Sequence, residues 1–216
     1  MLEIRWHGRG GQGAVTAAEI LATAVINEGR YAQAFAAFGP ERRGAPVLAF
    51  TRISDSEILL RSQIYEPDVI VVLDKNLCTM EGVSDGLKLG GTVVLNTNAP
   101  PESFVSTFPQ ASRIATANAT KIAIESIGSP ITNTAILGAL VKVTGIAKMG
   151  TLEDIFNERF KAYAEKNVNA AMPMLTSVSP MIRPTGALSK TCARSVPSFA
   201  VTSHLMNPPR AIPVTD

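Results

Sequence analysis

Three glycines near the N-terminus, Gly8, Gly10 and Gly13, have the spacing G-x-G-x-x-G. Alternating apolar residues at 2–6 predict a strand before them, and the stretch 14–28, free of Gly and Pro, predicts a helix after them. Because glycines have no side chains, such a turn lets backbone N–H groups and the positive end of the helix approach an anion. The order strand, loop, helix favours a phosphate-binding turn over one that needs glycine only for packing.

A second loop, residues 38–46, carries Arg42 and Arg43 between turn-forming residues, in the sequence FGPERRGAP. Guanidinium groups suit phosphate because they offer several N–H donors in one plane. In doubly wound folds, consecutive loops at one sheet edge lie side by side, so glycine amides and both arginines are expected to converge on one polyphosphate. The alternative is that Arg42 and Arg43 form a solvated or interface pair whose charge is neutralised by Glu41.

The second predicted strand, residues 31–35, should run parallel to the first and complete a βαβ unit. In a nicotinamide-binding unit this strand usually ends in an acidic residue that holds the ribose. Here the corresponding residues, 33–37, read QAFAA. The missing acid argues against an independent nicotinamide- or flavin-dependent reductase.

The remaining pattern predicts an α/β fold with a Rossmann-like, doubly wound and mostly parallel sheet. Residues 47–60 are expected to form an antiparallel hairpin, and 69–73 a central parallel strand whose following residue, Asp74, caps a helix. Further strands are expected at 92–96 and 113–116. Helices are expected at 75–87, 118–127, 134–144 and 151–165, the last beginning at a capping box formed by Thr151 and Asp154.

Composition narrows the class of protein. A chain of 216 residues, 46% hydrophobic, fits one domain with an appendage, and a net charge of +2 gives no indication of nucleic-acid binding. No apolar run reaches the roughly 20 residues of a membrane span, and no signal peptide is evident, so a cytoplasmic location is expected. Two cysteines, Cys78 and Cys192, cannot supply the four thiolates of an iron–sulfur cluster.

The two histidines, His7 and His204, offer no metal or catalytic constellation, and we expect no catalytic residue and no metal site in this chain. His7 is interpreted as a structural hydrogen-bonding residue and Trp6 as a core or interface residue. From Pro173 onwards the chain holds seven of its 14 prolines. Two segments are therefore predicted: a domain over 1–172, and an extended proline-rich C-terminal arm over 173–216 that is disordered or, as we favour, docks on partner subunits.

Three motifs together, HGRGGQG at 7–13, FGPERRGAP at 38–46 and RSQIYEPD at 61–68, resemble the gamma subunit of 2-oxoacid:acceptor oxidoreductases, of which pyruvate:ferredoxin oxidoreductase is the best-known member. Asn133-Thr134 with Leu137-Gly138, and NVNAA at 167–171, extend the resemblance over about residues 1–172. Several long motifs in a fixed order are more specific than the glycine pattern alone.

The resemblance implies a hetero-oligomeric complex of alpha, beta and ferredoxin-like delta subunits, typical of anaerobic metabolism, that converts a 2-oxoacid and coenzyme A to acyl-CoA and CO2 and reduces ferredoxin or another acceptor. Thiamine diphosphate, Mg2+ and iron–sulfur clusters are then expected in partner subunits. Pyruvate is the first candidate substrate, and branched-chain or aromatic 2-oxoacids are the alternatives. The alternative is a purely architectural subunit without coenzyme A contact. The coenzyme A candidates carried over by the resemblance are Gly10, Gly11, Gln12, Arg42 and Arg43.

Overall fold

The computed structural model describes residues 1–37, 44–80 and 82–184. They form a seven-stranded sheet with the strand order β2-β3-β1-β4-β5-β6-β7. The elements in chain order are β1 Leu2–Arg9, α1 Ala14–Asn27, β2 Tyr31–Ala37, β3 Pro46–Ser54, β4 Val69–Val72, β5 Gly91–Asn96, β6 Ala111–Ala117, α2 Ala119–Ile127, α3 Asn133–Thr144, α4 Met149–Phe160, α5 Ala164–Ala171, α6 Met174–Ser177 and β7 Ser179–Ile182.

The centre of the sheet is parallel, because β1 pairs with β4, β4 with β5 and β5 with β6 in the same direction. This confirms the predicted α/β fold, but the sheet is mixed rather than mostly parallel, since three of its six strand pairs are antiparallel. Antiparallel strands stand at both sides: β3 pairs with β1 and β2, and β7 pairs with β6.

The predicted hairpin over 47–60 is wrong in its second strand. β3 is its first strand as expected, but the antiparallel partner is β2, which precedes it in the chain. Residues 55–60 form no strand, and the Gln33 amide donates a hydrogen bond to the Ile58 carbonyl over 2.9 Å. β2 runs in the same direction as β1, as predicted, yet β3 lies between them.

One face of the sheet is covered by the α-helices. Helices α1 and α3 and residues of α4 and α5 share a core with Ile4, Trp6 and Val71 from the strands. Trp6 is fully buried, which confirms its expected place in the core, and its indole N–H donates to the Thr51 hydroxyl over 3.0 Å. Gly138 on α3 permits a close helix contact, since a Cβ there would lie 2.2 Å from the Ala171 carbonyl oxygen on α5.

The other face of β4, β5 and β6 is covered by short 3-10 turns. A helix predicted over 75–87 is a 3-10 turn over Lys75–Thr79, and Asp74 caps it as expected. Left-handed glycines, Gly82 and Gly86, follow the turn, and this backbone conformation is incompatible with a continuing helix. Apolar side chains of this region, including Leu77 and Phe108, form a second core against Val72 and Leu95.

The helix predicted over 151–165 is also interrupted. It begins earlier, at Met149 with Lys148 in the cap position, so Thr151 and Asp154 form no capping box at its start. Lys161, with φ 45°, breaks it, and α5 then begins at Ala164. A non-glycine residue in this conformation ends an α-helix because the backbone can no longer continue the helical hydrogen bonds.

Regular structure continues past the expected boundary at residue 173. Residues 173–184 include α6 and β7, and β7 extends the sheet beside β6. An edge strand tolerates Pro180 because the outer N–H of an edge needs no partner strand. The prediction that regular structure is absent from 173 onwards is therefore wrong for the eight residues of α6 and β7. The rest of the predicted arm, 185–216, lies outside the described residues. Within the described part of the chain, no helix has the length and apolarity to cross a membrane.

Candidate functional site

The glycine loop joins β1 to α1 at the carboxyl edge of the parallel strands. A Cβ on Gly8 would come within 2.9 Å of the Ala14 Cβ, so glycine lets the strand end lie close to the helix start. Gly13 caps α1 in a left-handed conformation, with φ 80°. A Cβ on Gly13 would meet the Asn133 side chain at 2.9 to 3.1 Å, which places the start of α3 directly against the loop.

Hydrogen bonds hold the glycine loop in one shape. The Gln12 side-chain oxygen accepts from the Arg9 N–H over 2.8 Å, and the Gln12 N–H donates to the Arg9 carbonyl over 3.0 Å. The Gly10 N–H donates to the Ala45 carbonyl over 2.9 Å, and the Gly44 N–H donates back to the Gly10 carbonyl over 3.3 Å. The last two bonds set the end of the second loop beside the first, as the sequence predicted.

Those hydrogen bonds also determine which backbone N–H groups of the glycine loop are already used inside the protein. The N–H groups of Gly10 and Gln12 are used inside the protein, whereas that of Gly11 has no hydrogen-bond partner among residues 1–37, 44–80 and 82–184. Gly11 has φ 95°, and no atom lies within 4 Å of a Cβ built there. Gly11 and the first turn of α1 therefore offer the amides for an anion, and Gly10 and Gln12 shape the loop. Arg42 and Arg43 lie outside the described residues.

Arg9, which was missing from the sequence-based candidates, stands where the two loops meet. Its Nε donates to Asp74 Oδ2 over 2.7 Å, and its Nη1 donates to the Gly44 carbonyl over 3.1 Å. The side chain remains 32% exposed. Asp74 Oδ1 accepts from the Asn76 N–H over 2.9 Å, so the carboxylate caps the 3-10 turn and pairs with Arg9. The guanidinium thus lies at the edge where a phosphate was predicted.

The Cys78 thiol is made unreactive by its surroundings. Burial raises its pKa to about 11, and the negative charge of Asp74 adds to the increase. A nucleophilic cysteine needs a thiolate, which this environment disfavours. Cys78 therefore packs in the core on this side of the sheet as a protonated thiol.

His7 is buried on β1, immediately before the loop. Its Nε2 accepts a hydrogen bond from the Arg5 Nε over 3.0 Å. Burial lowers the pKa of His7 to about 3, with a further decrease from the positive charge of Arg5. The ring is neutral at physiological pH and carries its proton on Nδ1, because an N–H donor already faces Nε2. His7 has the structural role that the sequence indicated.

A polar cleft of about 360 Å3 opens beside Gln12, at the ends of β4 and β5. Asn96 shapes its wall: its amide donates to the Leu73 carbonyl and the Thr120 hydroxyl, both over 2.8 Å, and accepts from the Thr120 N–H. The side chains that line the cleft besides these are those of Asp74, Lys75, Asn76, Thr97, Asn98 and Asn118. Amide, hydroxyl and ammonium groups of this kind suit a polar ligand that reaches the glycine loop.

The motifs around Asn133 and Asn167 support the loop from behind. Asn133 Oδ1 accepts from the N–H of Thr134 over 2.9 Å, which fixes the side chain that abuts Gly13. The Thr134 hydroxyl donates to Asn167 Oδ1 over 3.1 Å, and Asn167 donates to the Tyr163 carbonyl over 2.8 Å. All three residues in this chain of bonds from Asn133 to Asn167 are buried, so they act on the loop through packing.

Together, the parallel strands at the centre of the sheet, the glycine loop at their carboxyl edge and the adjoining arginine define a Rossmann-like domain with its candidate site at this edge. Residues 3–173 match the family model described as pyruvate ferredoxin/flavodoxin oxidoreductase. The chain belongs to this family, and within it to the gamma subunits of 2-oxoacid:ferredoxin oxidoreductases.

Relatives in both sequence and structure bear this out. The chain is 54% identical over 173 residues to the common gamma subunit of the pyruvate/ketoisovalerate oxidoreductases of Thermococcus kodakarensis, with 79% of this chain and 94% of the relative covered. It is 52% identical over 172 residues to the pyruvate synthase subunit PorC of Methanothermobacter marburgensis, with the same coverage. The crystal structure of pyruvate oxidoreductase subunit PORC from Thermotoga maritima matches with a TM-score of 0.75 and 36% identity, over 83% of this chain and 97% of that one.

Proposed function

We propose that this gamma subunit binds coenzyme A for the 2-oxoacid oxidoreductase complex to which it belongs, with Gly10, Gly11, Gln12, Arg42 and Arg43 at the site. The observation that carries the proposal is the pair of hydrogen bonds between Gly10 and residues 44–45. They bring the end of the arginine-bearing loop to the start of a helix whose first N–H groups have no hydrogen-bond partner among the residues that the structure describes. Coenzyme A has a pyrophosphate and a ribose phosphate that such donors recognise.

The roles within the site follow from the donors. Gly11 and the first turn of α1 donate backbone N–H groups to a phosphate, and Gly10 and Gln12 hold the loop open by their internal bonds. Arg42 and Arg43 add positive charge from the neighbouring loop. The polar cleft beside Gln12 receives a further part of the ligand.

The oxidation itself takes place in other subunits under this proposal. Thiamine diphosphate with Mg2+ supplies the chemistry that cleaves the 2-oxoacid, and iron–sulfur clusters carry electrons to ferredoxin or another acceptor. In this chain His7 is buried and neutral and Cys78 is held as a thiol, which supports a binding role rather than a catalytic one. The alpha, beta and ferredoxin-like delta subunits are the proposed partners.

The proposed substrate is pyruvate, with branched-chain 2-oxoacids as a second class. The relative from Thermococcus kodakarensis is named as a subunit common to a pyruvate and a ketoisovalerate enzyme. A subunit shared between two such enzymes fits a site that recognises coenzyme A, because the 2-oxoacid is then selected elsewhere.

The test is kinetic and uses the whole complex. Replacing Arg42 and Arg43 together by alanine is expected to raise the KM for coenzyme A by about tenfold or more, because charge-assisted hydrogen bonds contribute about 1.5–3 kcal/mol each. Reduction of the clusters by the 2-oxoacid without coenzyme A should keep its rate. The matched control replaces Arg30 and Arg159, two surface arginines that pair with Asp55 and Glu19 outside the two loops.

An unchanged KM for coenzyme A in the variant would refute the arginine assignment. If the variant instead failed to assemble with its partners while the control assembled, the two arginines would serve the architecture of the complex, and the alternative of a purely architectural subunit would replace the proposal.

A further inference from the structure

We propose that Arg9 binds a phosphate group of the ligand directly and that Asp74 competes with this phosphate for the guanidinium group. The proposal rests on the proposed function of the same site and adds a binding residue together with a built-in competitor. Neither residue belongs to the set that the sequence indicated.

The backbone places Arg9 at the centre of the edge. It is the last residue of β1 and lies opposite Pro46 at the start of β3, while Asp74 lies just beyond the end of β4. The Arg9 N–H is held by the Gln12 side chain over 2.8 Å. The side chain therefore starts from a fixed point between the glycine loop, the end of the second loop and the polar turn after β4.

The guanidinium group is only partly used. A guanidinium carries five N–H donors. Arg9 donates from Nε to Asp74 Oδ2 over 2.7 Å and from Nη1 to the Gly44 carbonyl over 3.1 Å. Its guanidinium group has no further partner among residues 1–37, 44–80 and 82–184. The side chain is 32% exposed, so a ligand can reach the remaining donors without unfolding the loop.

The contrast with Arg52 supports this interpretation. Arg52 is 1% exposed, pairs with Glu3 over 2.9 Å, and donates to the carbonyls of Leu60 and Gln63. All three of its nitrogens are engaged, as expected of a structural arginine. Arg9 Nη2, by contrast, has no hydrogen-bond partner within the described ranges, and Arg9 lies at the sheet edge where phosphates bind in this class of fold.

Asp74 is suited to the part of competitor. Its Oδ1 caps the 3-10 turn through the Asn76 N–H, and only Oδ2 meets Arg9. An unpaired carboxylate at this edge would repel a phosphate, and pairing with Arg9 neutralises it while the site is empty. An incoming phosphate offers more charge and more acceptor oxygens than one carboxylate oxygen, so it takes over the guanidinium.

The alternative is that Arg9 only ties the two loops together through Asp74 and Gly44. The two roles predict opposite signs for Asp74→Asn. Asparagine keeps the side-chain oxygen that caps the turn but loses the charge that holds Arg9. If Arg9 binds phosphate, the change releases it and strengthens binding; if Arg9 is only a tether, the change loosens the loops and weakens binding.

The experiment measures binding of inorganic pyrophosphate, and separately of coenzyme A, to the full-length chain by calorimetry. D74N is expected to lower the Kd for pyrophosphate by about threefold, the scale of a partly exposed ion pair. Arg9→Gln is expected to raise it by about tenfold or more. The double variant lacks both the Arg9 donors and the carboxylate that Arg9→Gln alone leaves unpaired. It should therefore bind pyrophosphate more weakly than D74N and no more weakly than Arg9→Gln.

The matched control is Asp55→Asn, which removes the same charge from the Arg30–Asp55 pair of 2.9 Å outside the two loops. It should leave both dissociation constants unchanged. Weaker binding in D74N, an unchanged Kd in Arg9→Gln, a double variant that binds pyrophosphate as tightly as D74N, or a wild-type chain that does not bind pyrophosphate would each overturn the inference.

These outcomes separate the inference from the proposed function. Pyrophosphate binding that responds to Arg9 and Asp74, in a chain that does not bind coenzyme A, would leave the inference standing and refute the coenzyme A site. Coenzyme A binding that depends on Arg42 and Arg43 but is indifferent to Arg9 and Asp74 would do the reverse.

Discussion

Replacement of Gly13 by alanine should destabilise the protein more than an ordinary glycine substitution, for two reasons that can be separated. Gly13 has φ 80°, and an alanine in the left-handed region costs about 1–2 kcal/mol. The new Cβ would also lie 2.9 to 3.1 Å from three atoms of Asn133. Asn133 is buried and held by its bond to the Thr134 N–H, so it cannot swing aside, and overpacking of this kind costs about 1–3 kcal/mol more.

Gly29→Ala supplies the control for the backbone contribution. Gly29 has φ 83°, and nothing lies within 4 Å of a Cβ built there, so only the cost of the left-handed conformation applies. Urea unfolding of the full-length chain, followed by circular dichroism, should show Gly13→Ala losing about 1–3 kcal/mol more than Gly29→Ala. In an Asn133→Ala background, which removes the contacts at 2.9 and 3.1 Å but keeps the Asn133 Cβ at 3.0 Å, this excess should shrink. Equal losses for both glycine variants, or an excess that Asn133→Ala does not reduce, would refute the reasoning.

Two further predictions concern buried charge. Arg52→Met should destabilise the chain by up to about 3–5 kcal/mol in urea unfolding, because Glu3 loses its buried partner and keeps only the partly exposed Lys88 at 3.7 Å. Arg30→Met, which opens a pair with an 88% exposed Asp55, should cost no more than about 1 kcal/mol, and equal losses would contradict this account. His7 has a pKa of about 3 in the folded chain, against 6.5 ordinarily. As the pH falls below 6.5, the unfolded chain therefore takes up a proton that the folded chain does not. The free energy of unfolding should then decrease by about 1.4 kcal/mol per pH unit until about pH 3. His7→Gln should flatten this part of the urea-derived stability profile, and an unchanged slope would show that other groups cause it.

Residue patterns in the sequence predicted a strand or loop correctly where its formation depends on residues that are close together in the chain. The alternation in residues 2–6 and the continuous β-branched run at 69–73 correspond to β1 and β4, and the glycine loop between β1 and α1 lies where its spacing indicated. The hairpin failed because strand pairing depends on distant residues. The short apolar run at 58–60 resembles a returning strand, yet Leu59 and Leu60 are exposed and β2 occupies the edge beside β3.

The same distinction explains the candidate site. Gly10, Gly11 and Gln12 could be proposed from sequence because the glycine spacing predicts a turn at this point of the chain and the family resemblance names these residues. Arg9 could not be singled out in the same motif, because its partner Asp74 is 65 residues away and meets it only when β1 and β4 pair. No pattern in the sequence predicts that ion pair, although an arginine at the end of a predicted strand can be considered as a candidate site residue.

The absence of an acidic residue at the end of β2 has a structural explanation in the strand order. A ribose-binding acid works when β2 lies next to β1, whereas here β3 lies between them. With neighbouring strands about 4.8 Å apart, the end of β2 stands about 10 Å from β1, too far for a carboxylate on β2 to reach a ligand at the glycine loop as it does in a nicotinamide site. The position beside the loop belongs to Gly44 and Ala45, which lead into β3 and bond to Gly10. Insertion of β3 therefore replaces a ribose-binding acid by the end of an arginine-bearing loop, which favours a ligand recognised through its phosphates.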